Sequence, residues 1–162
     1  MAKVAVIMGS KNDFDAVRPA VDILKSFGVE TEVRVISAHR TPDLAHDFAK
    51  GAKEAGIEVF ICAAGKAAHL GGVIAAYTPL PVIGLPIKSS TMDGLDSLLS
   101  MVQMPAGIPV ACVAINGALN AGLLAVQILA VKYPELMTKF EKYKADMAEK
   151  IRRDDEQLQK EL

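Results

Sequence analysis

The sequence predicts an α/β fold, a three-layer sandwich in which helices cover both faces of a parallel sheet. Short β-rich runs alternate with longer helical stretches, and such alternation implies right-handed crossovers between parallel strands. The strand runs are almost continuously apolar, as is typical of strands buried on both faces. Aromatic residues make up only 5% of the chain and Trp is absent, so the core must be built mainly from aliphatic side chains.

Five strands are expected, at residues 4–8, 32–36, 59–63, 82–85 and 110–115. Helices are expected at residues 13–27, 42–55, 67–77 and 95–102, and a further helix follows Asn116. This succession favours a flavodoxin-like strand order. Gly and Pro fall at the ends of elements, and no repeat or linker interrupts the chain. We therefore expect residues 1–162 to form a single domain.

The C-terminal tail, about residues 134–162, is largely charged but carries a narrow apolar stripe with spacings of three and four. The stripe consists of Leu136, Phe140, Tyr143, Met147 and Ile151. A long helix with so small an apolar face can pack on its own domain or lie across a neighbouring subunit. The second arrangement is favoured, which predicts a homo-oligomer.

Composition narrows the possible partners. Lys and Arg total 18 against 19 Asp and Glu, so the chain offers no broad positive field for nucleic acid. Cys62 and Cys112 lie in apolar runs outside any metal-binding pattern, and we expect buried, reduced thiols and no metal site. The longest apolar helical run, residues 117–131, is too short to cross a bilayer, and no signal peptide is recognisable. A cytoplasmic protein without a membrane partner is expected.

Ligands of open parallel sheets bind beyond the carboxyl ends of the strands, so the turns there are the places to search. In the first turn, Gly9 permits close backbone approach, and Ser10 precedes a helix whose N–H groups favour an anion such as phosphate. A Gly-Ser pair alone is more often a helix cap, and the turn lacks the fingerprints of NAD or ATP sites. Asp13 either complements the helix dipole or binds ribose hydroxyls.

The second turn contains Ser37, His39 and Arg40. Arg40 suits a phosphate because a guanidinium donates paired hydrogen bonds and stays charged. His39 is the leading candidate for a general acid/base, since imidazole exchanges protons near neutral pH. The Thr-Pro pair that follows explains an ordinary helix start but does not require a His-Arg pair. We interpret His46, further along the same helix, as a structural or surface residue.

The third turn is rich in Gly and Ala and could approach a flat ligand closely. His69 within it either starts a helix or belongs to a site, and the two interpretations stay open. Lys66 in the same turn, and Lys88, Ser89 and Ser90 after the fourth strand, add polar groups at the same edge or are simply solvated.

Taken together, these segments resemble the PurE family. Met-Gly-Ser at residues 8–10 with Asp13, Ser-Ala-His-Arg-Thr-Pro-Asp at 37–43 and Ala-Ala-His-Leu at 67–70 are similar to its motifs. Similar segments follow in the same order at residues 94–98, 102–105 and 109–115, and only the last 30 or so residues lack one. The Ala-Ala-His-Leu loop resembles class I mutases rather than class II aminoimidazole ribonucleotide carboxylases. Lys66 stands where the usual class I loop has its second glycine.

The resemblance implies an isomerase of purine (IMP) biosynthesis, which converts N(5)-carboxyaminoimidazole ribonucleotide to 4-carboxy-5-aminoimidazole ribonucleotide without a cofactor, in a homo-octamer. By position, Ser10 and Arg40 would hold the phosphate, Asp13 the ribose hydroxyls, and His39 would move the proton. The other implied substrate contacts are Gly9, Ser37, Gly65, Ala67, His69 and Leu70. The alternatives are a class II carboxylase that uses carbon dioxide directly, or a non-catalytic flavodoxin-like module that binds a phosphorylated ligand or FMN.

Overall fold

The computed structural model describes residues 1–162, and its centre is a five-stranded parallel sheet in the order β2-β1-β3-β4-β5. The strands are β1 (Lys3–Met8), β2 (Glu30–Val35), β3 (Val59–Gly65), β4 (Val82–Ile87) and β5 (Ala111–Cys112). Every neighbouring pair of strands is parallel. This is the predicted flavodoxin-like order.

Six helices cover the sheet: α1 (Phe14–Phe27), α2 (Pro42–Gly51), α3 (Leu70–Tyr77), α4 (Leu95–Val102), α5 (Ala118–Ala130) and α6 (Pro134–Glu161). Two separate cores result, because successive side chains of a strand point to opposite faces. Val4 and Val6 of β1 pack in the core beneath α1 and α5. Ala5 and Ile7 pack in the second core, beneath α2 and α3. The predicted three-layer sandwich is confirmed.

Strand β2 differs from the prediction of a nearly continuous apolar run. Its sequence alternates polar and apolar residues, and none of its six residues is fully buried. The reason is its position at the sheet edge, where only β1 is a neighbour. Lys3 of β1 instead forms ion pairs with Glu30 and Glu32 at 3.5 and 3.0 Å.

The bounds of three further elements differ most from the prediction. Helix α2 ends at Gly51 rather than at residue 55, and α3 begins at Leu70 rather than at residue 67. Lys66 has a positive φ of 56°, and a tight turn occupies the residues up to His69. Strand β5 has only two residues instead of 110–115. The chain beyond it stays beside β4 through isolated bonds, such as Asn116 N–H to the Pro86 carbonyl at 2.8 Å.

The predicted apolar stripe lies along the long helix α6, and its two halves differ in burial. Leu136 is buried, and the rings of Phe140 and Tyr143 lie 6.2 and 5.9 Å from the ring of Phe27. Met147 and Ile151, further along, are 45% and 66% exposed. The first half therefore packs on the core of its own chain, and the second stays largely exposed. None of the helices combines the length and apolarity needed to cross a membrane.

Candidate functional site

A cavity of about 500 Å³ opens at the carboxyl edge of the sheet, surrounded by the turns that follow β1, β2, β3 and β4. Nine of the ten predicted site residues line it: Gly9, Ser10, Asp13, Ser37, His39, Arg40, Gly65, Ala67 and Leu70. The tenth, His69, contacts His39 through its ring. The edge location follows from parallel strands, because all their carboxyl ends lie on one side.

The turns after β1 and β2 are bound to each other through Arg40. Its Nη2 donates to the Gly9 carbonyl at 3.0 Å, and its backbone N–H donates to the Ser37 hydroxyl at 3.2 Å. The Thr41 hydroxyl accepts from Ser37 N–H and donates to the Ser37 carbonyl. These bonds fix the guanidinium beside Ser10 while leaving some of its N–H donors free for an anion.

A pair of histidines joins the starts of α2 and α3. His39 Nε2 lies 2.9 Å from His69 Nδ1, and the rings meet edge to face at 77°. One nitrogen of such a pair must donate and the other accept, and either assignment leaves Nδ1 of His39 available to another partner. His69 is the residue before α3 but makes no capping bond with its side chain. The position of His69 is compatible with both interpretations, since it immediately precedes α3 and its ring contacts His39 of the cavity wall.

Asp13 provides the carboxylate in the cavity wall. It ends a short 3-10 helix, Lys11–Asp13, and its side chain forms no capping hydrogen bond with α1. Partial burial raises the pKa of the Asp13 carboxyl above its ordinary value. Three cationic side chains, Arg40, Lys66 and Lys88, line the same cavity. The balance of charge suits an anionic ligand whose hydroxyl groups can donate to Asp13.

Some lining residues were absent from the predicted set. Lys66, Lys88 and Ser90 line the cavity, and the only sequence signal for them was their position at the same strand ends. Ile87, at the end of β4, was missed because an apolar strand residue carries no functional signal. His46 lies outside the cavity wall, with Nδ1 2.8 Å from an oxygen of Asp47 and its ring 4.7 Å from that of Tyr77, which is compatible with its interpretation as a structural or surface residue.

Two other predictions concern cysteines and metals. Cys62 is buried, and Cys112 is only partly buried although the sequence predicted a buried thiol; both are free of disulfides. Burial raises the pKa of the Cys112 thiol, which disfavours its reactive thiolate form. No three His, Cys, Asp or Glu side chains lie close enough together to hold a metal ion.

The fold and the cavity define a flavodoxin-like α/β protein with a cavity at the carboxyl edge of the sheet and a histidine pair beside it. Comparison with known families makes the assignment specific, because the model of the AIR carboxylase family matches residues 3–150. The chain belongs to this family, and the PurE resemblance of its motifs is confirmed.

Named relatives are similar over almost the whole chain. A protein of Saccharolobus solfataricus named N5-carboxyaminoimidazole ribonucleotide mutase is 60% identical over 147 residues, which cover 91% of this chain and 93% of the relative. A Thermotoga maritima protein of the same name is 54% identical over 151 residues, or 93% and 88% of the two chains. The crystal structure of Treponema denticola PurE superposes with a TM-score of 0.88 at 29% identity and covers 98% of this chain and 99% of its own.

Proposed function

We propose that this chain is an N5-carboxyaminoimidazole ribonucleotide mutase, an isomerase of purine biosynthesis. The observation that carries the proposal is the convergence of His39, Arg40 and Asp13 on one cavity, in a chain 60% identical to a protein of that name. An acid/base, a phosphate ligand and an acceptor for sugar hydroxyls are the groups that a reaction on a ribonucleotide needs. The substrate is a small nucleotide.

The nucleotide is placed by its phosphate. Arg40, with Ser10 and Ser37 beside it, faces the phosphate, and Gly9 lets the backbone approach closely. Asp13, one turn away, accepts hydrogen bonds from the ribose hydroxyls. The imidazole base then lies next to His39. Gly65 at the end of β3, Ala67 in the turn after it and Leu70 at the start of α3 form the wall that excludes water from the reacting groups.

The chemistry needs one proton, which His39 gives and takes back. Protonation of the exocyclic nitrogen by His39 breaks the N–C bond of the carbamate and releases carbon dioxide into the closed cavity. The ring carbon C4 attacks the carbon dioxide, a C–C bond forms, and the proton of C4 returns to His39. Confinement keeps the gas beside C4, so the reaction requires no external carbon dioxide.

His69 positions the catalytic imidazole in this scheme. The bond between His39 Nε2 and His69 Nδ1 sets the orientation of the His39 ring and leaves Nδ1 as the nitrogen that exchanges the proton. A second histidine in this place also shares the charge when His39 is protonated. His69 lies outside the cavity wall itself, which supports a role exerted through His39.

Substrate choice tests the proposal. Purified protein is supplied with the N-carboxylated nucleotide, or with aminoimidazole ribonucleotide and bicarbonate, and formation of 4-carboxy-5-aminoimidazole ribonucleotide is followed. We expect efficient turnover of the first substrate and little of the second. Efficient use of bicarbonate without turnover of the N-carboxylated nucleotide would show a class II carboxylase instead. A yellow protein that turns over neither substrate would show a flavin-binding module.

We also propose a cytoplasmic homo-oligomer, an octamer, in which α6 contacts a neighbouring subunit. Support comes from Met147 and Ile151, which are exposed and do not belong to either core of the chain. Deleting the residues after Lys142 should lower the number of subunits in the assembly, because Met147 and Ile151 are removed. Light scattering measures the assembly mass, which is divided by the mass of the shortened chain to give that number. The control is Lys160→Gln, an exposed residue of the same helix half a turn away from Ile151 around the helix axis. An unchanged number of subunits after the deletion would contradict the contact.

A further inference from the structure

Lys66 is held in a backbone conformation that disfavours it. Its φ is 56°, in the left-handed region, and only Asp93 and Asn116 among the other non-glycine residues share a positive φ. Asp and Asn tolerate this region because their short side chains hydrogen-bond locally, whereas Lys has no such compensation. A glycine at position 66 would remove the strain. The lysine side chain is therefore retained in the cavity wall at a cost to the backbone, which points to a use for its charge.

The other two cations of the cavity are already engaged. Lys88 forms an ion pair with Asp93 at 2.8 Å. Arg40 is bound to the Gly9 carbonyl at 3.0 Å, on the side of the cavity near β1 and β2. Lys66 forms no ion pair and no side-chain hydrogen bond. Lys66 is therefore the cation of the cavity whose charged group has no partner at all, whereas Arg40 keeps only part of its guanidinium free, on the side of the proposed phosphate.

Lys66 and Arg40 flank the cavity from opposite sides. Strand β1 lies between β2, which leads to Arg40, and β3, which leads to Lys66. Strand spacing puts the two strand ends about 10 Å apart. A nucleotide anchored by its phosphate at Arg40 directs its base, and any substituent on that base, toward the β3 side. A second negative charge on the ligand would lie there.

We propose that Lys66 is a specificity-determining residue, whose ammonium pairs with the carboxylate of the nucleotide and so favours carboxylated nucleotides over the decarboxylated parent. This inference rests on the proposed function. The flexible side chain of Lys can follow the carboxylate in both its N-linked and C-linked positions. Because the group loses its charge while it is carbon dioxide, the ion pair stabilises bound substrate and product more than the transition state. Loss of Lys66 therefore raises KM without lowering kcat.

Calorimetry with two stable nucleotides tests this role. The probes are 4-carboxy-5-aminoimidazole ribonucleotide and 5-aminoimidazole ribonucleotide, and the variants are Lys66→Gln, Lys66→Arg and Lys66→Gly. We expect Lys66→Gln to weaken binding of the carboxylated nucleotide by about tenfold, as for loss of a charge-assisted bond, and that of the parent by less than about twofold. Lys66→Arg should retain most of the preference for the carboxylated nucleotide over the parent. Lys66→Gly should lose it and unfold at a higher temperature, because the backbone strain is relieved.

The control is Lys53→Gln, an exposed lysine outside the cavity. If Lys66→Gln weakens the binding of both nucleotides equally, or the binding of neither, the proposed role of Lys66 is wrong. Calorimetry detects binding whether or not turnover follows, so a native protein that binds the carboxylated nucleotide but fails the mutase assay would refute the proposed function and still test Lys66. A native protein that binds neither nucleotide would refute both.

Discussion

Polar side chains at the two ends of the sheet are used differently. At the amino end, Glu58 accepts hydrogen bonds from Lys132 Nζ at 2.6 Å and from the Tyr133 hydroxyl at 2.7 Å, which ties β3 to the junction of α5 and α6. At the carboxyl end, Asp13 and Lys66 line the cavity without any side-chain partner. The same residue types thus stabilise the fold at one end and remain available to a ligand at the other.

The pKa values of the two carboxyl groups reflect this difference. Burial alone would raise the pKa of Glu58, but the hydrogen bonds and charge of Lys132 and the hydroxyl of Tyr133 together lower it. The pKa of Asp13 is raised, because burial acts there without compensation. A carboxylate left without a partner costs the protein stability, and this is the expected signature of a group kept for binding.

The largest effect should come from His39→Asn. Asparagine can fill the position but cannot exchange a proton, so we expect kcat to fall by at least about 100-fold while nucleotide affinity changes little. The control is His46→Asn, which changes a histidine of α2 outside the cavity. Steady-state kinetics with the N-carboxylated nucleotide measures both parameters. Retention of full turnover would remove His39 from the chemistry.

Replacing Arg40 with Leu should act on binding. Loss of a charge-assisted contact to phosphate is worth about 2 kcal/mol, which corresponds to a rise in KM of about 30-fold. Arg152→Leu on the exposed end of α6 is a matched control, because it removes a guanidinium far from the cavity. If KM is the same in both variants, Arg40 does not contact the phosphate.

At the amino end, Glu58→Gln should lower the free energy of unfolding by about 1 kcal/mol without changing kinetics. The stabilisation by Glu58 is present above the unfolded pKa of a glutamate, about 4.3, and is lost as pH falls through the lower native pKa. The difference in the free energy of unfolding between the native protein and the Glu58→Gln variant should therefore vanish in acid. Denaturant unfolding over a pH series measures it, with the exposed Glu54→Gln as control. A difference independent of pH would be evidence against the ion pair.

The smallest effect, of opposite sign, is expected from Asp13→Asn. The variant should be more stable at neutral pH, by less than about 1 kcal/mol because the carboxylate is still partly solvated. The charged Asp13 carboxylate lowers the free energy of unfolding. This destabilisation decreases as pH falls through the raised native pKa, and it is absent below about 3.9, the ordinary pKa of an aspartate. The same unfolding series tests this. A less stable variant at neutral pH would mean that Asp13 serves the helix rather than the ligand.

The sequence was sufficient for the parts of the structure that depend on local pattern. Apolar runs located β1, β3 and β4, and the polar turns after the strands located the cavity. The pairing of His39 with His69 could not be predicted, because 30 residues separate them and only the packing of α2 beside α3 brings them together. The start of α3 was misplaced because Ala67 and Ala68 favour a helix, while the left-handed backbone of Lys66 imposes a turn first.

Strand β2 leaves one edge of the sheet open, and that edge carries Glu30, Glu32 and Arg34. Charged side chains along an open edge oppose the addition of a strand from another molecule, since the newcomer would have to desolvate them. The opposite edge, β5, offers only two residues for pairing. Extended fibrils built by continuing this sheet are therefore disfavoured at both margins, and association between copies is left to helices and loops.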